Sequence, residues 1–341
     1  MDVSGFCRES HVVVVVGKGG VGKTTVTAAL ARTAANAGLD VLVVALDDSG
    51  GLPALFGRDD AFGYEEVVLV AGDRLADAGT AGGAGGGEGA DHGPARVPGR
   101  VRGRVLTSDA ALVEYLADHG LGRVSRRLVQ SGALEVVATA IPGVREMLVL
   151  ARLKQIERAG VADLVILDAP ATGHAVTFLT SSGGLADAAR GGPLRAQAEQ
   201  VVEMLSDERR CQVLLVTAPE ETPVNEVVET AYRLEDEVGV RLGPVVVNGC
   251  YRVLDGLEAD PAAAAAAAGA AAPSAAEAER IAAAAEFRSG RQVLQRRQVE
   301  RLAAELPLPL IELPYLFTAA LGVDEVEPLA AALAAGIEAL A

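Results

Sequence analysis

The chain has 341 residues, of which 50% are hydrophobic, and a formal net charge of -16. Its length suits one large α/β domain (residues 1–341), and no apolar run reaches the roughly 18 residues that a membrane span needs. The negative charge opposes binding to nucleic acid or to an anionic membrane. Three isolated cysteines, Cys7, Cys211 and Cys250, form neither a C-x-x-C metal pair nor a disulfide framework. We therefore expect a cytoplasmic protein with no nucleic-acid partner and no direct membrane insertion.

The start of the chain predicts a strand followed by a helix. The first ten residues read as a short polar lead into the first strand, without room for a signal peptide. Five consecutive valines at 12–16 predict a strand that is buried on both faces. Residues 26–37 favour a helix, which Gly38 would end as a C-cap residue.

A glycine-rich loop joins this strand to this helix. It reads Gly17, Lys18, Gly19, Gly20, Val21, Gly22, Lys23, Thr24, Thr25 and satisfies the pattern G-x-x-x-x-G-K-[ST]. Backbone N–H groups of such a loop hold phosphate at a helix N-terminus, and we expect all nine residues to contribute to binding a nucleotide. Lys23 would reach the terminal phosphates, and the Thr24 hydroxyl would ligate Mg²⁺.

The use of lysine singles out the same loop. The chain has only three lysines, Lys18, Lys23 and Lys154, and its other 27 basic residues are arginines. A compact ammonium fits within a ring of amides where a planar guanidinium does not, so the two residue types are not interchangeable there. Lys18 is either a solvated loop charge or a second phosphate contact made across a subunit interface.

Carboxylates follow two further buried strands. Asp47 follows the apolar stretch 41–46, where it could orient water or metal at the ligand edge of the sheet, or begin an ordinary turn. Asp168 follows the apolar stretch 164–167 as a Walker B aspartate does, which would place it to hold Mg²⁺. Thr172 and Gly173 after it could form a phosphate-sensing switch loop, whereas His174 is more often structural than a catalytic base.

The remaining segments predict an α/β fold, a mostly parallel sheet of about seven to eight strands wrapped by helices. Residues 65–70 and 101–106 read as the strands of a hairpin whose loop, 72–99, is rich in Gly and Ala and expected to be disordered.

Residues 109–160 read as a helical insertion, and the Gly183-Gly184 and Gly191-Gly192 pairs bracket a short segment. Asn248, at the end of a later strand, could contact a purine edge or cap a turn. The alanine-rich segment 259–306 contains a helix that starts with a capping box at Ser274.

Several of these motifs together carry a family resemblance. Residues 17–25, Asp47, the stretch Asp168-Ala-Pro-Ala-Thr-Gly-His174, Asn248 and Leu313-Pro314 resemble, in order and spacing, the arsenical-pump ATPases and the tail-anchored-protein targeting ATPases. These are P-loop NTPases with a deviant Walker A motif. The resemblance covers residue 12 to about residue 314 and is nearest to single-module actinobacterial members that work in pairs.

The resemblance implies ATP and Mg²⁺ as ligands, and a dimer, with itself or with a paralogous ATPase, that encloses two ATP molecules. Lys18 resembles the signature lysine that reaches the partner subunit's nucleotide, and Asp47 resembles the carboxylate that positions the attacking water. With Lys23, these form the expected catalytic set. Asp168 matches the switch aspartate near Mg²⁺, and Asn248 and Pro314 fall where the family holds adenine.

The chain also departs from the family pattern. Targeting members read D-P-A-H-N where this chain has Asp-Asp-Ser-Gly-Gly at 47–51, and its Asp168-Ala169-Pro170 is one residue shorter than D-T-A-P. Aligning the prolines would place the switch aspartate at Leu167. We favour Asp168, because an apolar side chain cannot serve Mg²⁺. The cysteine pair that joins targeting homodimers and a cysteine triad for a metalloid are both absent from the sequence.

The leading interpretation is an ATP-hydrolysing dimeric switch that handles an unidentified client protein or membrane transporter. The alternative is a MinD- or ParA-like ATPase that organises a cellular structure. Against it, Glu325 to Ala341 contains no basic residue, which a MinD-like membrane helix needs, and the net charge opposes ParA-like DNA binding. The cysteine spacing disfavours a metal-inserting or reductase ATPase.

Overall fold

The computed structural model describes residues 2–46, 51–60, 62–71, 99–118, 143–189 and 191–340. Within these ranges the strands form a single sheet, which confirms the prediction of seven to eight strands. The strands are β1 (Val12–Gly17), β2 (Val41–Ala45), β3 (Val67–Val70), β4 (Val101–Val105), β5 (Leu164–Ala171), β6 (Cys211–Thr217), β7 (Arg241–Cys250) and β8 (Leu310–Pro314).

The strand order is β3-β4-β2-β5-β1-β6-β7-β8, so β1 lies near the centre with β5 and β6 beside it. All neighbours run parallel except β3 and β4, which pair antiparallel at one edge as the two strands of a hairpin. The carboxyl ends of β1, β2 and β5 therefore meet at one edge of the sheet, where ligands of open α/β sheets bind.

Helices cover both faces of the sheet, as a parallel sheet requires. The helices of the described ranges are α1 (Val3–Arg8), α2 (Lys23–Asn36), α3 (Ser108–Asp118), α4 (Val144–Ala159), α5 (Thr172–Ala188), α6 (Pro193–Ser206), α7 (Glu221–Val238), α8 (Pro261–Ala267), α9 (Ala275–Glu305) and α10 (Val323–Glu338), with a 3-10 turn at Ala54–Phe56.

The valines of β1 show how the sheet divides the core into two layers. Val12, Val14 and Val16 pack into a cluster with α4, α5, α6 and α7, whereas Val13 and Val15 pack into a second cluster with α1, α2 and α10. Successive side chains of a strand point to opposite faces, so an unbroken apolar run is what a strand between two helical layers needs. The valine run is consequently buried along its whole length.

Helix α1 corrects the prediction that a polar lead runs directly into β1. Asp2 caps this helix by accepting a hydrogen bond from the Gly5 amide at 2.7 Å. Val3, Phe6 and Cys7 are buried against the second cluster, at the i, i+3, i+4 spacing of one helical face. Six residues are too few for this periodicity to stand out in the sequence.

Helix α5 corrects a second expectation. It continues through Gly183 and Gly184, which were expected to mark a segment boundary, and its first turn contains Thr172 and Gly173, which were expected in a loop. Each glycine costs a helix interior about 1 kcal/mol relative to alanine. Buried side chains along α5, including Leu179 and Leu185, offset that cost.

Other predictions concern the segments that carry sequence insertions. The Gly/Ala-rich insert (72–99) lies outside the described residues except for Gly99, and so does the middle of the helical insertion (109–160), of which α3 and α4 are described. The alanine-rich segment (259–306) contains α8 and α9, and Ser274 and Glu277 form the expected capping box at the start of α9.

No helix within the described ranges combines the length and the apolar character needed to cross a membrane.

Candidate nucleotide site

The loop between β1 and α2 is shaped by its glycines. Gly17 ends β1 so close to β6 that a Cβ there would overlap the carbonyl oxygen of Val216. Gly22 has φ +89°, a left-handed conformation that favours glycine, and a Cβ there would overlap the side-chain amide of Asn248. Because α2 begins at Lys23, the loop lies at a helix N-terminus, where backbone N–H groups can face an anion.

Asp168 lies beside this loop because of strand register. In β5 it pairs with Val15 of β1 on one side and with Ala45 of β2 on the other. Thr24 donates a hydrogen bond to one Asp168 oxygen at 2.8 Å, and Thr27 donates to the other at 3.4 Å. Leu167, the alternative position for the switch aspartate, is fully buried in the core.

The pair Thr24 and Asp168 fits a magnesium ion in chemical type. A hydroxyl oxygen and a carboxylate oxygen are hard ligands, and Mg²⁺ in nucleotide sites is held by few protein oxygens together with water and phosphate. Among the described residues no group of three His, Cys, Asp or Glu side chains could form an all-protein metal site. The donor set therefore suits a metal that arrives with a nucleotide.

Lys23 is held over the loop from the first turn of α2. Its Nζ donates to the carbonyl oxygen of Lys18 at 3.2 Å. Burial lowers the pKa of Lys23 from the ordinary lysine value, while the nearby Asp168 carboxylate acts in the opposite direction. A partly desolvated ammonium with a carbonyl as its hydrogen-bond acceptor is well suited to take a phosphate oxygen instead.

Lys18 contacts a residue that sequence reasoning missed. Its Nζ lies 2.5 Å from Oε1 of Glu226, and Thr172 donates to the other Glu226 oxygen at 3.4 Å. Glu226 is on α7, which follows β6. No motif marks this glutamate, and only the order β5-β1-β6 reveals that α7 lies beside the loop. In this structure Lys18 is thus not a free loop charge but is paired within its own chain.

A cleft of about 390 Å³ opens next to this ion pair. It is lined by residues 18–21 of the loop and by residues 218 and 220–223 at the start of α7. The two glycines of the loop, Gly19 and Gly20, leave its backbone accessible there, whereas Val21 is buried and Thr25 lies inside α2.

Asn248 and Pro314, expected near adenine, lie at the ends of neighbouring strands. The Asn248 side chain donates to the carbonyl oxygen of Val21 at 2.9 Å, so it supports the loop directly. Pro314 is the last residue of β8, paired with Cys250 of β7. The two residues are therefore close to each other, but only Asn248 has a hydrogen bond to the loop.

Two further candidates remain, Asp47 and His174. Asp47 lies outside the described residues, although β2 ends two residues before it, opposite Asp168. His174 is exposed on the first turn of α5. The described geometry therefore brings together Lys18, Lys23, Thr24, Asp168 and Asn248 at one edge of the sheet.

The fold and the loop define a phosphate-loop nucleotide-binding domain. Residues 12–207, more than half of the chain, match the family described as the CobQ/CobB/MinD/ParA nucleotide binding domain. The chain belongs to this family.

Two relatives agree with this placement. The protein named ATPase BagA from Mycobacterium tuberculosis is 31% identical over 242 residues, which cover 69% of this chain but only 64% of that relative's length. A protein from Halobacterium salinarum, provisionally named an arsenical pump-driving ATPase, is 26% identical over 262 residues, covering 71% of this chain and 36% of that protein. These matches confirm the resemblance drawn from the motifs.

Proposed function

We propose that this chain binds Mg-ATP and hydrolyses it as a dimeric switch, using the two lysines of the loop for different tasks. The observation that supports this most is the meeting of Lys23, Thr24 and Asp168 at the N-terminus of α2, beside a cleft that contains Lys18. The names of both relatives, each called an ATPase, favour ATP as the nucleotide.

Hydrolysis requires a water oxygen to bond to the γ-phosphorus while the bond to the bridging oxygen of ADP breaks. Lys23 and the loop amides would hold the β- and γ-phosphates in line for this attack. Thr24 and Asp168 would hold Mg²⁺, which supplies charge neutralisation at the phosphate oxygens when bound. Asp47, two residues after the end of β2 in the sequence, would orient the attacking water.

Lys18 would act on the nucleotide of a second subunit. Charge that develops on the transferred phosphoryl group is stabilised by a cation placed against it, as an arginine finger does. In the isolated chain Lys18 is paired with Glu226 at 2.5 Å. Reaching a partner's nucleotide would therefore require Lys18 to leave Glu226, which ties catalysis to dimer formation.

The switch would act on a client protein or a membrane transport partner. The name of the Halobacterium salinarum relative supports a role in driving transport. An alternative, favoured by the family description, is a MinD- or ParA-like ATPase that organises a cellular structure. The α10 sequence opposes a membrane-targeting role, because Val323–Glu338 contains acidic but no basic residues.

Titration of ATP into Lys23→Ala and Lys18→Ala variants tests this proposal. We expect Lys23→Ala to lose most ATP affinity, since it removes a charge-assisted contact to phosphate. Lys18→Ala should bind ATP within about twofold of wild type but release no phosphate, since Lys18 would act only in the transition state. Isothermal titration and a phosphate-release assay measure the two effects. Unchanged ATP affinity in Lys23→Ala would refute the assignment of the loop.

A further inference from the structure

Helix α9 is far longer than its packing requires. It has 31 residues, which corresponds to about 46 Å, yet only Gln295 and Leu302 are buried along it. A helix of this length in water gains most of its stability from packing of an apolar face, so a long exposed helix needs a partner or many local contacts.

The helix is fixed to the nucleotide edge of the sheet by a few polar contacts. Gln295 donates to the carbonyl oxygen of Gly249 at 3.1 Å and accepts from the amide of Tyr251 at 2.7 Å. Arg291 forms an ion pair with Glu220 at 3.0 Å. These contacts orient α9, so the side chains that point away from the sheet have a defined direction.

Two large apolar side chains lie together on one exposed side of α9. Phe287 is 68% exposed and Leu294 is 51% exposed, and because they are seven residues apart they lie on the same side. Arg301 follows at the same spacing and donates to the carbonyl oxygen of Glu221 at 3.2 Å. We call Phe287 and Leu294 the α9 stripe. Single exposed apolar residues are ordinary, but two on one line of a long helix with few buried side chains form a candidate contact surface.

The α9 stripe is connected to the Lys18 cleft through two neighbouring arginines. Arg291 and Arg301 flank the stripe on the helix surface, and their partners Glu220 and Glu221 both line that cleft. The stripe therefore continues the surface that begins at Lys18.

The charges on this surface are unequal between two helices. Residues 287–301 of α9 contain five arginines and one glutamate, although the net charge of the whole chain is -16. Helix α7 has the opposite character, with six acidic residues and one arginine. A surface that carries both a basic helix and an acidic helix offers opposite charges to a second copy placed by a twofold rotation.

We propose that the α9 stripe is part of the surface on which a second copy of this chain docks. The inference rests on the proposed function, because it extends the dimer face outward from the Lys18 cleft. Phe287 and Leu294 supply the apolar contact, and the exposed Arg297 on the same helix pairs with the acidic α7 of the second copy. Docking of α9 thereby positions the two chains so that Lys18 of one chain reaches the nucleotide of the other.

Paired double variants test this surface. Phe287→Ser with Leu294→Ser removes the stripe. Ile281→Ser with Val293→Ser removes two other exposed apolar side chains, 50% and 54% exposed, from other sides of the same helix. Sedimentation velocity with Mg²⁺ and a non-hydrolysable ATP analogue gives the dimer dissociation constant. We expect at least about a tenfold weakening for the stripe variant and less than about twofold for the control, as central apolar contacts dominate interfaces.

A charge variant provides a second measurement. Arg297 is exposed and makes no ion pair or hydrogen bond within the described ranges, so Arg297→Glu breaks no polar contact there. We expect it to weaken the dimer, and this effect should shrink as salt screens the charges. Analogue affinity of every variant, measured at protein concentrations where the chain is monomeric, should equal that of wild type.

The possible results separate the two proposals. If wild type dimerises with the analogue and the stripe variant dimerises equally well, the proposal that α9 is a docking surface is wrong, while the proposal of a dimeric switch stands. If wild type binds the analogue but stays monomeric at all concentrations, both the α9 surface and the dimeric part of the proposed function are overturned.

Discussion

At the scale of single residues, the local rules of phosphate binding predicted which side chains meet. The pattern placed Thr24 at the start of a helix, and a strand ending in a carboxylate placed Asp168 beside it, in agreement with the 2.8 Å contact between them. Glu226 could not be predicted in this way. Its contact with Lys18 spans 208 positions and depends on which helix the strand order brings near the loop.

The two threonines that contact Asp168 allow a matched comparison. Thr24→Val and Thr27→Val each remove one hydroxyl that donates to this carboxylate, but only Thr24 holds the position expected to ligate Mg²⁺. We expect Thr24→Val to raise the Mg²⁺ concentration needed for half-maximal ATP binding by at least about tenfold. Thr27→Val should change it by less than about twofold. Equal effects from both variants in a magnesium titration would argue against Thr24 as a ligand.

Removing the charge of Glu226 should favour the dimer. Glu226→Gln leaves a side chain of similar size but removes the ion pair with Lys18. Lys18 then reaches a second subunit at a lower free-energy cost. We expect the dimer dissociation constant with an ATP analogue to fall several-fold. Glu338→Gln, an exposed change on α10 and outside the proposed dimer surface, provides the control. A weaker dimer in Glu226→Gln would contradict a competing role for this ion pair.

At the scale of elements, hydrophobic periodicity predicted the buried strands best, because a short unbroken apolar run between two helices is typical of a strand covered on both faces. It failed where the signal was short or contradictory. Helix α1 shows its pattern over only six residues, and the glycines within α5 oppose a helix that tertiary packing nevertheless stabilises. Both errors arise because packing against other elements outweighs local preference.

The contact between α4 and α6 contains the third lysine. Lys154 is 2% exposed, and its Nζ donates to the side-chain oxygens of Gln197 at 2.7 Å and Gln200 at 2.8 Å. Burial lowers the pKa of Lys154 from 10.5 to about 8, with the positive charges of Arg158 and Arg210 acting in the same direction and Glu203 opposing them.

This lowered pKa makes the stability of the protein depend on pH. Between pH 8 and 10.5 the unfolded chain keeps a proton on Lys154 that the folded chain has lost. Since the unfolded state binds more protons there, the contribution of Lys154 to the free energy of unfolding rises with pH across this window, and below pH 8 the cost of the buried charge is present in full.

Urea unfolding of wild type and Lys154→Met at pH 7.5 and at pH 10 measures this contribution. We expect the stability of wild type relative to the variant to increase at the higher pH, because the variant has no group to titrate. Other titrating groups are common to both proteins and cancel in the difference. Parallel pH profiles for the two proteins would show that Lys154 titrates as an ordinary lysine.

At the scale of the whole molecule, composition alone was a poor guide. The net charge of -16 suggests a uniformly acidic surface, yet residues 287–301 carry five of the arginines on a largely exposed helix. The parallel α/β class followed from alternating strands and helices, but the strand order did not. That order decides which surfaces adjoin the nucleotide site, and it is what places α7 beside Lys18, with α9 connected to the start of α7 through Arg291 and Arg301.

The central claim is that Lys18 of one chain acts at the nucleotide of another. Mixing two inactive variants, Lys18→Ala and Asp47→Asn, tests it most directly. In a mixed dimer one site combines an intact Asp47 with Lys18 from the other chain, while the opposite site lacks both. With random exchange of subunits, half of the dimers are mixed and each has one working site, so we expect roughly a quarter of the wild-type rate of ATP hydrolysis. Native mass spectrometry establishes that mixed dimers are present. A rate near zero in a sample that contains them would contradict the account, because Lys18 would then act only within its own chain.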